Sequence, residues 1–93
     1  MPFGVELTGP AIRDLDGIAA EDRSAILEAI SHLGEDPFPD GKVRKKLKGF
    51  GFPVYRLRSR NHRVLYRILG EKVTVLRVID RQILERTFRR LRS

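Results

Sequence analysis

The chain contains no cysteine and no tryptophan, and only two histidines in 93 residues. The first absence excludes disulfides and thiolate metal sites and makes a reducing cytoplasm the expected compartment. His32 and His62 lack the spacing of a metal-ligand pair, and no metal or other cofactor is expected. Long apolar runs are missing too. Nothing approaches the roughly 20 residues of a membrane-spanning helix, so no membrane partner is expected. The start, MPFGVELTGP, has neither the basic region nor the apolar stretch of a signal peptide. Most telling is a local shortage of negative charge. Between Gly41 and Gly70 there is no Asp or Glu.

That same stretch holds ten Lys or Arg: Lys42, Arg44, Lys45, Lys46, Lys48, Arg56, Arg58, Arg60, Arg63 and Arg67. Residues 1–40 carry nine acids against two bases, residues 71–93 seven bases against three acids, and the whole chain sums to +7. Segregation on this scale makes a surface that concentrates polyanions. The expected partner is nucleic acid or an acidic protein. With 41% apolar and 33% charged residues, the chain has the make-up of a folded globular protein. Its length fits a single domain, residues 1–93, with a thin core.

Periodicity predicts the elements. Phe3 to Thr8 alternates like a short strand. Thr8 suits an N-cap, with Pro10 in the first turn of a helix reaching about Ile18. Ile26, Ala29, Ile30 and Leu33 form the apolar stripe of a second helix from about Glu21. Gly34 is placed as its C′ residue, and Pro37 stops it. Asp36 to Gly51 reads mostly as loop. Three strands follow, Pro53 to Arg58, His62 to Leu69 and Lys72 to Ile79, joined by short turns that imply an antiparallel meander. Arg81 to Arg92 suits a last helix with Leu84, Phe88 and Leu91 on one side. The order β-α-α-β-β-β-α is that of an α+β domain, an antiparallel sheet packed against a helical hairpin on one face.

Alternation sorts the strand side chains. Tyr55, Leu57, Val64, Tyr66, Ile68, Leu76 and Val78 are expected against the helices. Arg56, Arg58, Arg63, Arg67 and Arg77 are then left on the opposite face. Guanidinium suits phosphate because its planar fork donates two parallel hydrogen bonds and stays charged. The plainer reading is a solvated face whose long side chains cover apolar surface. The run VRKKLKG, with Arg44, Lys45, Lys46 and Lys48, is a basic patch or simply a charged loop.

The string LKGFGFPVYRLRSRNHRVLYRI, then VTVLRVIDR, with DPFPDG ahead of them, resembles the RelE/ParE superfamily of bacterial toxin–antitoxin systems. The resemblance spans nearly the whole chain and is closer to the RelE branch. It implies a RelE-like fold and a cytoplasmic toxin of a type II system. The implied activity is cleavage of messenger RNA on the ribosome without a metal, inhibiting translation. The implied partners are ribosome, mRNA and a cognate antitoxin, acidic and partly disordered, bound in a toxin–antitoxin hetero-oligomer.

The implied chemistry is attack of the RNA 2′-hydroxyl on the adjacent phosphate. It needs in-line positioning, stabilisation of the phosphorane and proton transfer. By the resemblance Arg63 contacts the scissile phosphate, Arg81 stabilises charge and Arg56 is one of two basic strand positions. The companion of Arg56 is Val54 here. RNA contacts are expected from Arg44, Lys45, Lys46, Lys48, Arg58, Arg60, Arg67 and Arg77, with Phe88 stacking on a base. Family nucleases often carry Tyr or His near the start of the last helix. This chain has Glu85-Arg86-Thr87-Phe88 instead. The remaining proton-transfer candidates are His62, Asp80 and Glu85. Each has a plainer reading: His62 a hairpin surface residue, Asp80 a helix cap, Glu85 a solvated partner of Arg81. Two other functions stay open at this point, a ParE-like inhibitor of DNA gyrase and a degenerate toxin that only binds its antitoxin.

Overall fold

The Thr8 hydroxyl organises the first junction. Its Oγ1 accepts the Ala11 N–H at 3.2 Å and donates to the Leu76 carbonyl at 2.9 Å, so one side chain caps a helix and ties it to a strand. The computed structural model describes residues 2–92, with side chains through residue 86. Its elements are β1 (Gly4–Leu7), α1 (Gly9–Asp16), α2 (Ala20–Leu33), β2 (Arg44–Leu47), β3 (Val54–Ser59), β4 (His62–Leu69), β5 (Lys72–Asp80) and α3 (Arg81–Arg92). Gly34 ends α2, but not in the left-handed conformation expected of a C′ glycine. Its φ is −66°. Its smallness serves close approach instead: the Phe3 N–H donates to its carbonyl at 2.6 Å, and an added Cβ would sit 3.3 Å from the Phe3 oxygen.

The strands form one sheet in the order β1-β5-β4-β3-β2. The predicted meander β3-β4-β5 is antiparallel, as expected. Two corrections follow. β1 runs parallel to β5, so the sheet is mixed. The segment read as loop contains β2, paired antiparallel with β3. Three of its four residues are basic, so it shows no apolar alternation, and its conformation comes from pairing with β3. Asp40 leads into it, its Oδ1 accepting the Lys42 and Arg44 N–H groups at 2.9 and 3.0 Å.

α1 and α2 cover one face. Ala11, Leu15, Ile26, Ile30 and Leu33 pack there on Leu57, Val64, Tyr66, Val73, Val75 and Val78. A bulge corrects the expected side-chain sorting on β5. Leu65 pairs with Arg77 but Tyr66 with Val75, leaving Leu76 as the extra residue. Val75 therefore joins the helix-side core in place of Leu76. Leu76 and Ile79 turn to the opposite face and pack with Val54, Leu65 and Leu84. This second, smaller cluster seats α3 there, so helices occupy both faces of the sheet. The sharp β4–β5 turn uses Gly70 at φ 58°, a conformation glycine adopts without strain.

Candidate functional site

An open cleft of about 610 Å³ lies on the α3 side of the sheet. It is lined by Lys45, Lys46 and Leu47 of β2, Lys48 just after it, Arg56 and Arg58 of β3, Arg63 of β4, and Arg81, Leu84 and Glu85 of α3. Alternation along β3 and β4 puts Arg56, Arg58 and Arg63 on this face. The hydrophobic seat of Leu84 brings Arg81 and Glu85 to its rim. Seven of the ten lining residues are cations and one is an acid.

Two of the four guanidinium groups, those of Arg63 and Arg56, are held by neutral backbone oxygens. Arg63 Nη1 donates to the carbonyls of Arg60 and His62 at 3.1 and 3.0 Å. Arg56 Nη1 reaches the carbonyls of Lys42 and Val43 at 3.1 and 3.3 Å. The β3–β4 turn is central to this. Arg60 sits there at φ 53°, uncommon for a residue with a Cβ, and Nη1 of its side chain is pinned to Asp22 Oδ1 at 3.0 Å. The next carbonyl, of Asn61, accepts the Arg81 N–H at 2.9 Å and so fixes the start of α3. Orientation is thereby obtained without neutralising the charge.

Among the described residues, none of the seven cleft cations has a carboxylate within ion-pair distance; the pairs formed lie elsewhere. Like charges instead meet directly: Lys45 is the cross-strand partner of Arg56, and Arg58 of Arg63. Such pairs destabilise a sheet. Burial holds the Arg63 guanidinium below its usual range, and the charges of Arg56, Arg58 and Arg81 push the same way. Burial, then Arg58, does the same to Arg56. Both groups would gain from an anion between them.

Other expected contacts lie elsewhere. Arg77 is the cross-strand partner of Leu65, but its side chain is drawn to α1 and does not enter the cleft. Its Nε and Nη2 make a bidentate pair with Asp14 of α1 at 2.7 and 3.0 Å. Burial raises the Asp14 carboxyl, but the Arg77 pair and the Val78 N–H outweigh it and hold that carboxyl below its ordinary value. Arg44 turns to Asp36 and Asp40 and to the Phe38 carbonyl. Arg60 belongs to Asp22, as above, and Arg67 stacks over the Phe52 ring at 4.2 Å. None of these four lines the cleft. His62 does not line it either, because alternation turns it away from Arg63. Its Nδ1 is buried with no hydrogen-bond partner among the described residues. The Phe88 side chain lies outside the described residues.

Asp80 acts as a cap, its Oδ1 accepting the Gln82 N–H at 2.8 Å. Tyr66 is buried as expected. Its hydroxyl donates to the Pro37 carbonyl at 2.7 Å, and burial pushes its ionisation up. Tyr55 stacks on it with ring centroids 5.6 Å apart. Glu85 reaches the cleft but makes no ion pair with Arg81 or any other described residue. Sequence reading missed that β2 walls the site and that Leu47 and Leu84 floor it.

A small α+β domain with an unneutralised cationic cleft beside its last helix defines an anion-gripping protein. The family model described as ParE toxin of type II toxin–antitoxin system, parDE, matches residues 5–84. The chain belongs to this family, within the RelE/ParE superfamily, and is a toxin of a type II toxin–antitoxin system. No curated protein matches it. Among solved structures it is similar to the Mycobacterium tuberculosis toxin–antitoxin complex RelBE2, with 31% identity over 87% of this chain and 93% of that one, TM-score 0.75. The archaeal RelE–RelB complex of Pyrococcus horikoshii gives 25% identity over 87% and 97%, TM-score 0.73. A chromosomal ParDE system from P. aeruginosa shares the fold at 18% identity over 84% and 95%, TM-score 0.69. The first two of these likenesses agree with the RelE side of the superfamily.

Proposed function

We propose that this toxin is an mRNA endoribonuclease acting on the ribosome in the cytoplasm, kept silent by a cognate antitoxin. The observation carrying this reading is the cleft itself, lined by seven cations that form no ion pair with any described carboxylate. An RNA backbone supplies negative charge, and the 2′-hydroxyl of RNA supplies a nucleophile, so the reaction requires no metal. The 2′-oxygen attacks phosphorus, the bond from phosphorus to the 5′-oxygen breaks, and a 2′,3′-cyclic phosphate and a 5′-hydroxyl result. Arg63 and Arg56 grip the scissile phosphate from the sheet, and Arg81 faces them from α3. Their guanidinium groups stabilise the charge gathering on the phosphorane. Lys45, Lys46, Lys48 and Arg58 hold the flanking backbone. DNA lacks the nucleophile and resists. The antitoxin binds this basic domain, as the similar structures are themselves toxin–antitoxin complexes. An acidic and partly disordered segment fits its charge.

Induction without antitoxin should arrest growth and leave new transcript ends inside translated messages, mapped by primer extension. Arg63→Ala should relieve the arrest and lower cleavage by about 100-fold or more, while the antitoxin complex still forms. Growth arrest with intact transcripts and impaired gyrase supercoiling would overturn the reading.

A further inference from the structure

We propose that Glu85 is the general base of this toxin, the group that takes the proton from the attacking 2′-hydroxyl; this rests on the endoribonuclease reading above. The cleft needs a proton acceptor and offers few. Tyr66 is buried with its hydroxyl committed to the Pro37 carbonyl, and Tyr55 stacks on it at the helix face. His62 points away from Arg63 to the other face. Asp80 spends an oxygen on capping α3. Glu85 is the one acid among the lining residues. The other charged lining residues are all lysines and arginines.

Its surroundings argue against a purely structural role. A carboxylate weakens a site built for a polyanion. Arg81, one helical turn earlier, lies on the same helix face, where an i,i+4 pair is available. Yet Glu85 forms no ion pair with any described residue. It is exposed, on a helix held down by its neighbour Leu84, which is buried. Its charge reaches Arg63, whose protonated form it favours. The carboxylate therefore stands without an ion-pair partner among the described residues, near the guanidinium assigned to the scissile phosphate, where an adjoining ribose would lie.

The step balances without another reactant. The Glu85 carboxylate accepts the 2′ proton as the bond from the 2′-oxygen to phosphorus forms. The bond from phosphorus to the 5′-oxygen breaks, and water protonates the departing oxygen. Glu85 returns its proton to solvent after release.

The test compares wild type, Glu85→Gln and Glu85→Asp on programmed ribosomes. The substrates are one messenger and a second with sulfur replacing the bridging 5′-oxygen at the cleaved bond. Sulfur leaves without a proton, so a missing acid is rescued and a missing base is not. Glu85→Gln should cleave about 100-fold more slowly and bind RNA as tightly as wild type or more so, since a repelling charge is gone. Its defect should persist on the sulfur substrate, and Glu85→Asp should keep part of the rate. Wild-type cleavage by Glu85→Gln, rescue by sulfur, or a rate loss matched by weaker RNA binding would each overturn the assignment while leaving the endoribonuclease reading intact. A wild-type protein that cleaves neither messenger would overturn both.

Discussion

Arg58 and Arg63 face each other as direct cross-strand partners, and Lys45 faces Arg56 in the same manner one strand over. A sheet selected for stability alone would place opposite charges at such positions. Arg58→Glu supplies one. Removing the repulsion and adding an attraction should stabilise the fold by about 0.5–1 kcal/mol in low salt. The same change puts a negative charge where RNA must lie, so binding and toxicity should fall together. Urea unfolding and a growth assay read the two effects. A variant both less stable and fully toxic would mean that the like-charge pairs have no bearing on the site. Neighbouring residues show the complementary economy. Arg63 and Arg56 are oriented by carbonyls, whereas Arg77 and Arg60, outside the cleft, are oriented by carboxylates.

At the scale of elements, α3 is the piece most exposed to loss. It is attached through Leu84 in the small cluster with Val54 and Leu65, and through the Asn61 carbonyl at its first residue. Leu84→Ala should cost about 2 kcal/mol, the lower end for a buried leucine because the cluster is peripheral. It should also release Arg81 and Glu85 from the cleft rim. Cleavage should then drop by more than stability alone explains, at temperatures where circular dichroism still shows the intact sheet. Unchanged cleavage would mean that α3 contributes nothing to the site. Elements with strong local signals were readable from sequence. Thr8 and Pro10 marked α1, and the alternation in HRVLYRIL marked β4 within its observed limits. β2 was not readable, since a strand of RKKL shows no buried face and forms because β3 lies beside it. The bulge on β5 was equally hidden. An extra residue leaves no mark in composition, yet it reassigns Val75 and Leu76 to opposite faces.

At the scale of the whole molecule, the charge segregation along the chain becomes a sorting in space. Arg44 pairs with Asp36 and Asp40, Arg60 with Asp22, Lys72 with Glu6 and Arg77 with Asp14. Every one of these acids comes from residues 1–40, and every one of these bases lies outside the cleft. The acidic N-terminal part thus neutralises cations that the site does not use, and leaves those that it does. Binding of single-stranded RNA should therefore depend steeply on salt. Each phosphate neutralised contributes about −0.7 to the slope of log affinity against log salt. A cleft spanning four or five phosphates predicts a slope of roughly −3. Removing a cleft cation should flatten it by about 0.7, so Arg58→Ala is expected to do so. Removing Arg60, which Asp22 already satisfies, should leave the slope unchanged. Fluorescence anisotropy with a labelled oligoribonucleotide across a salt series measures all three. A shallow wild-type slope, or equal flattening by Arg58→Ala and Arg60→Ala, would show that affinity comes from diffuse surface charge and that the cleft does not select the backbone.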